Sequence, residues 1–435
     1  MDMRPVTVIG GGLAGCEAAY QLLRRGVPVT LYEMRPVRTT PAHKGGGLAE
    51  LVCSNSLRAA SVENAVGLLK EEMRRLGSLI MEAADATAVP AGGALAVDRH
   101  KFSAYIEERL LAMQGLELIR QEVCFLPQGE VIIAAGPLAS PALSRTIANL
   151  TGRDQLFFHD AIAPIVDAAT IDMDKAFFAS RYGKGEGSDY LNCPFDKEQY
   201  LAFYYELVNA EVHPLHDFEE EKHFSGCMPI ESMARFGPET ICHGPLKPVG
   251  LTLPGGGEAY AVVQLRKENV EATMYNLVGF QTRLTQGEQR RVFRMIPGLE
   301  QAEFLRYGAM HRNTYIDALK LLDEDLRLLS DPRISFAGQI TGVEGYVESA
   351  ASGLMAGILA AYRQLGKERP VFPRESALGS LLAFTHTPKD DYQPMNVNFG
   401  LFPPVYEKFR SKKEKFALLS QRALAAVDSF KAELE

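Results

Sequence analysis

Val6-Thr7-Val8-Ile9 runs directly into Gly10-Gly11-Gly12-Leu13-Ala14-Gly15, and this stretch decides the fold. The β-branched run favours a strand. A helical pattern follows through Arg25, Gly26 stops it, and Val27 to Tyr32 reads as a second strand ending at Glu33. In such a strand-turn-helix, Gly10 permits the tight turn, Gly12 lets backbone approach a pyrophosphate, and Gly15 lets helix and strand pack closely. Gly11 belongs to the same turn. Leu13 and Ala14 open the helix, whose free N–H groups and positive dipole end suit phosphate. Glu33 stands where a carboxylate accepts hydrogen bonds from ribose hydroxyls. A lone G-x-G-x-x-G also occurs in plain βα turns. Here strand, glycines, helix, second strand and terminal acid fall in order, which points to a bound dinucleotide.

A chain of 435 residues exceeds one ordinary core, so two or three domains are expected. Hydrophobic content of 46% and charged content of 23% suit a globular protein. No apolar run reaches the roughly 18 residues of a membrane span, and the first apolar residues are spent on a strand rather than a signal peptide. Six cysteines (Cys16, Cys53, Cys124, Cys193, Cys227, Cys242) show neither C-x-x-C nor Cys/His metal spacing. That pattern predicts a reducing cytoplasm, free thiols and no metal. A net charge of −8 argues against a generally cationic nucleic-acid binder, while leaving room for a local basic face.

Residues 1–150 alternate between β and α patterns, with helical periodicity at Asn64 to Leu76 and Arg99 to Met113. Met34 to Gly47 reads as a long loop, Leu116 to Val123 and Val131 to Ala135 as strands. The latter enters Ala134-Ala135-Gly136, the kind of small-residue turn that two-dinucleotide-fold flavoproteins place under their cofactor. Residues 151–330, with aromatics, isolated glycines and short mixed runs, suggest an inserted α+β domain on the substrate side. From 331 to 435 the α/β pattern returns. Ile334 to Ala337 is a strand, followed by Gly338-Gln339, Gly342, Gly345-Tyr346 and a small-residue helix from Glu348. This second strand-glycine-helix junction moves the choice of cofactor from NAD to FAD. The expected fold is therefore α/β, a Rossmann-type FAD-binding domain with a doubly wound parallel sheet. A basic helix carrying Lys408, Arg410, Lys412, Lys413 and Lys415 ends the chain, open to either tRNA contact or plain solvation.

These residues resemble the folate- and FAD-dependent tRNA (uracil-5-)-methyltransferases. The resemblance rests on Gly10 to Ala18 (GGGLAGCEA), Ala49 to Ser56 (AELVCSNS), Pro90 to Arg99 (PAGGALAVDR), Gly226 to Glu231 (GCMPIE), His311 to Tyr315 (HRNTY) and Gly338 to Gly353. The cysteine-bearing segments are far more specific than the glycine fingerprint. Ala135 stands where a Thr is commoner. A larger flavoprotein family that modifies the tRNA wobble uridine shares the fingerprint but carries a long extra C-terminal region.

The resemblance implies transfer of a one-carbon unit from methylenetetrahydrofolate to carbon 5 of the T-loop uridine at tRNA position 54. Reduced FAD would donate electrons and NAD(P)H would reduce the flavin; no second glycine fingerprint marks a dedicated nicotinamide site. Carbon 5 of uracil is a poor nucleophile until a thiolate adds to carbon 6, and only a thiolate is competent. Cys227, in the turn Gly226-Cys227-Met228-Pro229, is the first candidate for that attack. Cys53 is the second, or acts as acid/base or flavin-side partner. Glu231 either handles a proton or caps a helix. Cys16, Cys124, Cys193 and Cys242 read as small buried hydrophobes. His311-Arg312-Asn313 suits folate, flavin or RNA contact, or a structural junction, and Arg290, Arg291 and Arg294 a phosphate or plain solvent. No obligate protein partner is evident. The competing readings are a small-molecule flavin oxidoreductase and a non-catalytic FAD-bearing tRNA-binding protein.

Overall fold

The computed structural model describes residues 3–40, 42–152, 156–183, 187–213, 228–388, 392–407 and 409–434. The N-terminal part contains β1 (Val6–Ile9), α1 (Leu13–Leu23), β2 (Val29–Tyr32), β3 (Ser56–Ala59), α2 (Ala65–Arg75) and α3 (Leu79–Ala86). It continues with β4 (Ala88–Val89), β5 (Ala94–Val97), α4 (Arg99–Leu111), β6 (Leu116–Ile119), β7 (Val131–Ile133) and α5 (Pro141–Thr151). Next come β8 (Leu156–Ile162), β9 (Ile165–Asp167), β10 (Phe177–Ala179), β11 (Tyr190–Phe195), α6 (Lys197–Asn209), α7 (Ile230–Ala234) and α8 (Pro238–His243). Then β12 (Ala261–Lys267), β13 (Met274–Leu277), α9 (Gln286–Phe293), β14 (Phe304–Arg306) and β15 (Ala309–Tyr315) follow. The chain closes with α10 (Ala318–Leu321), β16 (Arg327–Leu328), β17 (Asp331–Phe336), α11 (Tyr346–Gln364), α12 (Ala377–Phe384) and α13 (Lys412–Leu434).

The main sheet has the order β16-β17-β7-β1-β2-β6, parallel except for β16 against β17. Its central strands β1 and β7 are buried at every position, as parallel strands covered on both faces should be. Register levels their ends: Ile9 lies beside Tyr32 and Ile133, and Ile133 beside Phe336. The segments that follow, starting at Gly10, Glu33, Ala134 and Ala337, therefore leave one edge of the sheet together. Ligands of open α/β sheets bind at that carboxyl edge.

α1 covers the sheet and α11 packs on α1 backbone to backbone. A Cβ on Gly353 would lie 2.1 Å from the Ala14 carbonyl oxygen, and one on Gly357 would lie 2.7 Å from that of Ala18. The small residues read in the sequence thus set a helix–helix distance that also brings Gly338 against Ala14. The Leu116–Val123 strand stops at Ile119, because Gln121 N–H turns back to the Ile119 carbonyl and Arg120 reaches across to the carbonyls of Arg35 and Gly46. The last helix begins at Lys412; Arg410 precedes it and Lys408 lies outside the described residues. Its Leu419, Ala423, Val427 and Phe430 are buried, and Arg75 pairs with Asp428 at 2.6 Å.

A second core gathers residues from Ala163 to Ala302, and the first core resumes at Tyr315. The second core lies under a six-stranded antiparallel sheet of order β10-β11-β12-β13-β9-β14, with β13, β9 and β14 continuing from β12. Along β12, Ala261, Val263 and Leu265 enter this core, whereas Arg266 points the other way and donates to Asn55 Oδ1 at 2.9 Å. The alternation makes one face of this sheet a polar wall against the first core.

Candidate active site

The carboxyl edge of the parallel sheet opens into a cleft with about 1000 Å³ of atom-free space. Gly10, Gly12, Leu13, Ala14, Glu33, Gly136, Gly338, Gln339 and Tyr346 all line it. Gly12 faces open space, since a Cβ there meets nothing within 4 Å, and no side chain caps the helix that starts after it. An uncapped helix N-terminus facing an open cleft fits a pyrophosphate. Gly10, at φ +108°, has the opposite surroundings: a Cβ would sit 2.5 Å from the Ala134 carbonyl oxygen. Gly15 packs against the turn itself, with only 1.8 Å between its would-be Cβ and the Gly10 carbonyl oxygen.

Gly11, Gly15, Gly342 and Gly345 do not line the cleft. Gly11 N–H donates inward to Glu33 Oε2 at 2.8 Å. Gly342 (φ +86°) backs onto the Tyr392 ring, and Gly345 (φ +116°) makes the turn into α11 beside Glu348 and Arg58. These glycines shape the walls, while Gly12 stands at the opening.

Glu33 is buried and already engaged. Its Oε1 accepts from Arg35 N–H and Nε, both at 2.9 Å, and its Oε2 accepts from Gly11. Burial opposes its charge, but the Arg35 guanidinium and the two backbone N–H groups hold its carboxyl below the usual range. Arg35 in turn spans to Glu50 at 3.0 Å. A ribose hydroxyl at Glu33 would share acceptor oxygens with this network.

Cys53 lies half-buried on the loop after β2, next to Val52 of the cleft wall. Its N–H donates to the Tyr346 hydroxyl at 2.6 Å, and that of Ser54 does so at 3.3 Å. Burial, then the Cys53 sulfur, push the Tyr346 phenol up. On the other side of the loop, Arg266 donates to Ser54 Oγ at 2.7 Å, and Arg99 donates to the Leu51 carbonyl at 2.9 Å. Arg306 reaches the Ala42 carbonyl at 3.5 Å. The thiol thus sits where the cofactor cleft meets the polar wall of the second sheet, among guanidinium groups that attract a thiolate.

Glu231 is buried in α7, where it accepts from Thr282 Oγ1 at 2.8 Å and Arg283 N–H at 2.9 Å. Burial pushes its carboxyl up. Those contacts tie the start of α7 to the segment after β13. Cys227 lies outside the described residues, as do the side chains of His311, Arg312 and Asn313. Of the cysteines read as buried, Cys16, Cys193 and Cys242 are so, but Cys124 is exposed, because it comes just after Val123, where the chain leaves the cleft wall before rejoining it at Ala134. Arg290, Arg291 and Arg294 do not act as one face: Arg291 pairs with Glu288 and Glu206, and Arg294 holds the Ala302 carbonyl.

Several cleft residues escaped the sequence reading, among them His43, Gln121, Glu122 and Val123. Burial, then the Arg35 guanidinium, push the His43 imidazole down to about 4, so it is neutral near pH 7. His43 sits on a loop without periodicity, and Gln121 to Val123 read as the end of a strand that in fact stops at Ile119; the only signal for His43 was that its loop follows a strand of the parallel sheet.

The family model described as glucose inhibited division protein A matches residues 5–368. The methylenetetrahydrofolate–tRNA-(uracil-5-)-methyltransferase TrmFO of Heliobacterium modesticaldum is 60% identical over 431 residues, 98% of each chain. That of Geobacter sulfurreducens is 60% identical over 98% of this chain and 99% of its own. That of Pelotomaculum thermopropionicum is 58% identical over 100% of both. Among solved structures, Aquifex aeolicus GidA in its form I crystal superposes with a TM-score of 0.72 at 18% identity, covering 99% of this chain and 76% of that one. The last likeness is one of fold. Identity near 60% along essentially the whole length goes further, and the chain belongs to the family of folate- and FAD-dependent tRNA (uracil-5-)-methyltransferases.

Proposed function

We propose that this protein methylates carbon 5 of the T-loop uridine at position 54 of tRNA, in the cytoplasm, with methylenetetrahydrofolate as one-carbon donor and NAD(P)H as reductant. The observation that carries the reading is the full-length identity to enzymes named for that reaction, joined to a cysteine held at the edge of a dinucleotide cleft. The uncapped start of α1 and the open space before Gly12 suit the pyrophosphate of FAD, and Ala134 to Gly136 with Gly338 and Gln339 form the opposite wall. The chemistry that FAD supplies when bound is the electron pair that turns a methylene into a methyl group.

The residues of the chain do the rest. Cys227 is the thiol that adds through Sγ to carbon 6 of the uracil, so that carbon 5 gains the electron density to take the methylene carbon. Loss of the proton on carbon 5 breaks the bond from the methylene to the folate nitrogen, and once a hydride has made that methylene a methyl group the bond from sulfur to carbon 6 breaks as the ring regains its double bond. Cys53, among Arg266, Arg306 and Tyr346, serves as acid/base partner on the flavin side. Glu231 anchors the chain just after Cys227 to Thr282 and Arg283. The target base must leave its stack to reach either sulfur, and the inserted 151–330 region offers the tRNA side.

A T-arm RNA carrying 5-fluorouridine at the target tests the assignment, because fluorine cannot leave as a cation and the thioether should accumulate. Cys227→Ala should abolish this slow-migrating species while leaving flavin content intact. Cys53→Ala should slow turnover yet permit some adduct. An adduct that survives in Cys227→Ala and vanishes in Cys53→Ala exchanges the two roles. Methylation with S-adenosylmethionine alone, folate and reductant omitted, overturns the reading.

A further inference from the structure

Among the described residues, two deeply buried polar atoms with no hydrogen-bond partner lie together behind the Cys53 loop: Nδ2 of Asn276 and Oε1 of Glu268. Asn276 is 3% exposed and Glu268 1%. Register places them side by side. Asn276 stands opposite Arg266 across β12 and β13, and Glu268, two residues beyond Arg266, donates its N–H to the Met274 carbonyl at 3.0 Å. The two are diagonal neighbours on one face of the antiparallel ladder. That face is the polar wall, turned away from the second core.

The surroundings connect this pair to the thiol. Arg266, beside Asn276, holds Ser54 and Asn55; Arg99, held by Glu268 Oε2 at 2.8 Å, holds the Leu51 carbonyl. The same two arginines therefore fix the chain on both sides of Cys53 and flank the two unpaired atoms. A buried polar group without a partner is uncommon in a native fold, and a bound ligand is one way of completing it. Here Asn276 Nδ2 and Glu268 Oε1 are an unfilled donor and acceptor, with the unfilled Arg99 Nη2 against the other oxygen of Glu268, and the first two complement a ring C=O and the N–H adjacent to it.

We propose that Asn276 and Glu268 form a subsite that reads the lactam edge of a heterocycle: Asn276 Nδ2 donates to the ring carbonyl and Glu268 Oε1 accepts from the neighbouring ring N–H. The inference rests on the reading that a heterocycle is processed beside Cys53. Uracil and the pterin ring of folate both carry this edge, and the experiment separates them.

Asn276→Leu and Glu268→Gln are prepared as holoenzymes, with flavin content and melting temperature recorded. Each is titrated with tetrahydrofolate, followed by perturbation of the flavin spectrum, and separately with a T-arm RNA, followed by gel shift. Steady-state KM values for methylenetetrahydrofolate and tRNA complete the set. Loss of one hydrogen bond to the ring should weaken one ligand about tenfold and leave the other within about twofold. Weakened tetrahydrofolate assigns the subsite to pterin, and weakened RNA assigns it to uracil. If both ligands bind both flavin-replete variants as they bind the wild type, the proposal is overturned. Should Asn276→Leu fail to hold flavin, Glu268→Gln decides by the same criteria. The binding titrations need no turnover. A wild type that makes no 5-methyluridine therefore refutes the proposed reaction, while the same titrations still decide the subsite.

Discussion

Gly12 and Gly15 belong to one turn, yet the space around them separates binding from folding. A Cβ at Gly12 meets nothing within 4 Å, and its φ of −81° and ψ of −170° are ordinary extended backbone. Gly12→Val should therefore leave the apoprotein within about 1 kcal/mol of wild type, the cost of a poor helix N-cap. Its methyl groups would stand in the cleft before α1, where phosphate must approach the backbone. One charge-assisted hydrogen bond lost there is worth about 1.5–3 kcal/mol, so FAD should bind about 10- to 150-fold more weakly. At Gly15 a Cβ would lie 1.8 Å from the Gly10 carbonyl oxygen, and backbone cannot rotate aside as a side chain can. Gly15→Ala must open the turn, at a cost of about 1–3 kcal/mol or more. Denaturant unfolding of both apoproteins, with FAD titrations alongside, gives the comparison. Unchanged FAD affinity in Gly12→Val refutes the phosphate placement, and an apoprotein as unstable as Gly15→Ala refutes the claim of open space.

Three further outcomes are expected. Arg35→Ala leaves Glu33 and Glu50 without their shared guanidinium and should cost about 3–5 kcal/mol by urea unfolding, as removal of one partner from a buried pair does; a loss under about 1 kcal/mol contradicts it. Gly353→Ala puts a methyl against the Ala14 carbonyl and should lower both the melting temperature and flavin retention, a shift that Ala at an exposed position of α11 does not produce. Burial pushes the Glu72 carboxyl up from 4.5 to about 8, against the pull of the Ala377 and Leu378 N–H groups. The folded state then holds a proton that the unfolded state has released, so this stabilisation is complete below about pH 4.5 and is lost as pH rises through about 8. The stability difference between wild type and Glu72→Gln should fall across that window, and a difference that grows with pH refutes the assignment.

The parallel sheet was legible because its chemistry is local. Val6–Ile9 and Val131–Ile133 are buried on both faces, so they appear as uninterrupted apolar runs, and the glycines after them are demanded by contacts within a few residues. The polar setting of the Cys53 loop was legible for another reason: the run Ser54-Asn55-Ser56 receives Arg266. What stayed hidden depends on which loops meet. His43 and Gln121 join the cleft only because β2 and β6 end level with each other, and nothing in either loop records that register. The polar wall is an intermediate case. Ala261 to Lys267 reads AVVQLRK, and the alternation of Val263 and Leu265 with Gln264 and Arg266 already says that one face of a strand is not core. A half-polar strand that is nonetheless buried at all but its last residue must meet something polar. The chain supplies part of that with Asn55, Ser54 and Arg99, and two atoms of Asn276 and Glu268 are left over. Periodicity can therefore show that a strand has a second, polar interface, while only the three-dimensional register shows that this interface is incomplete directly behind the thiol.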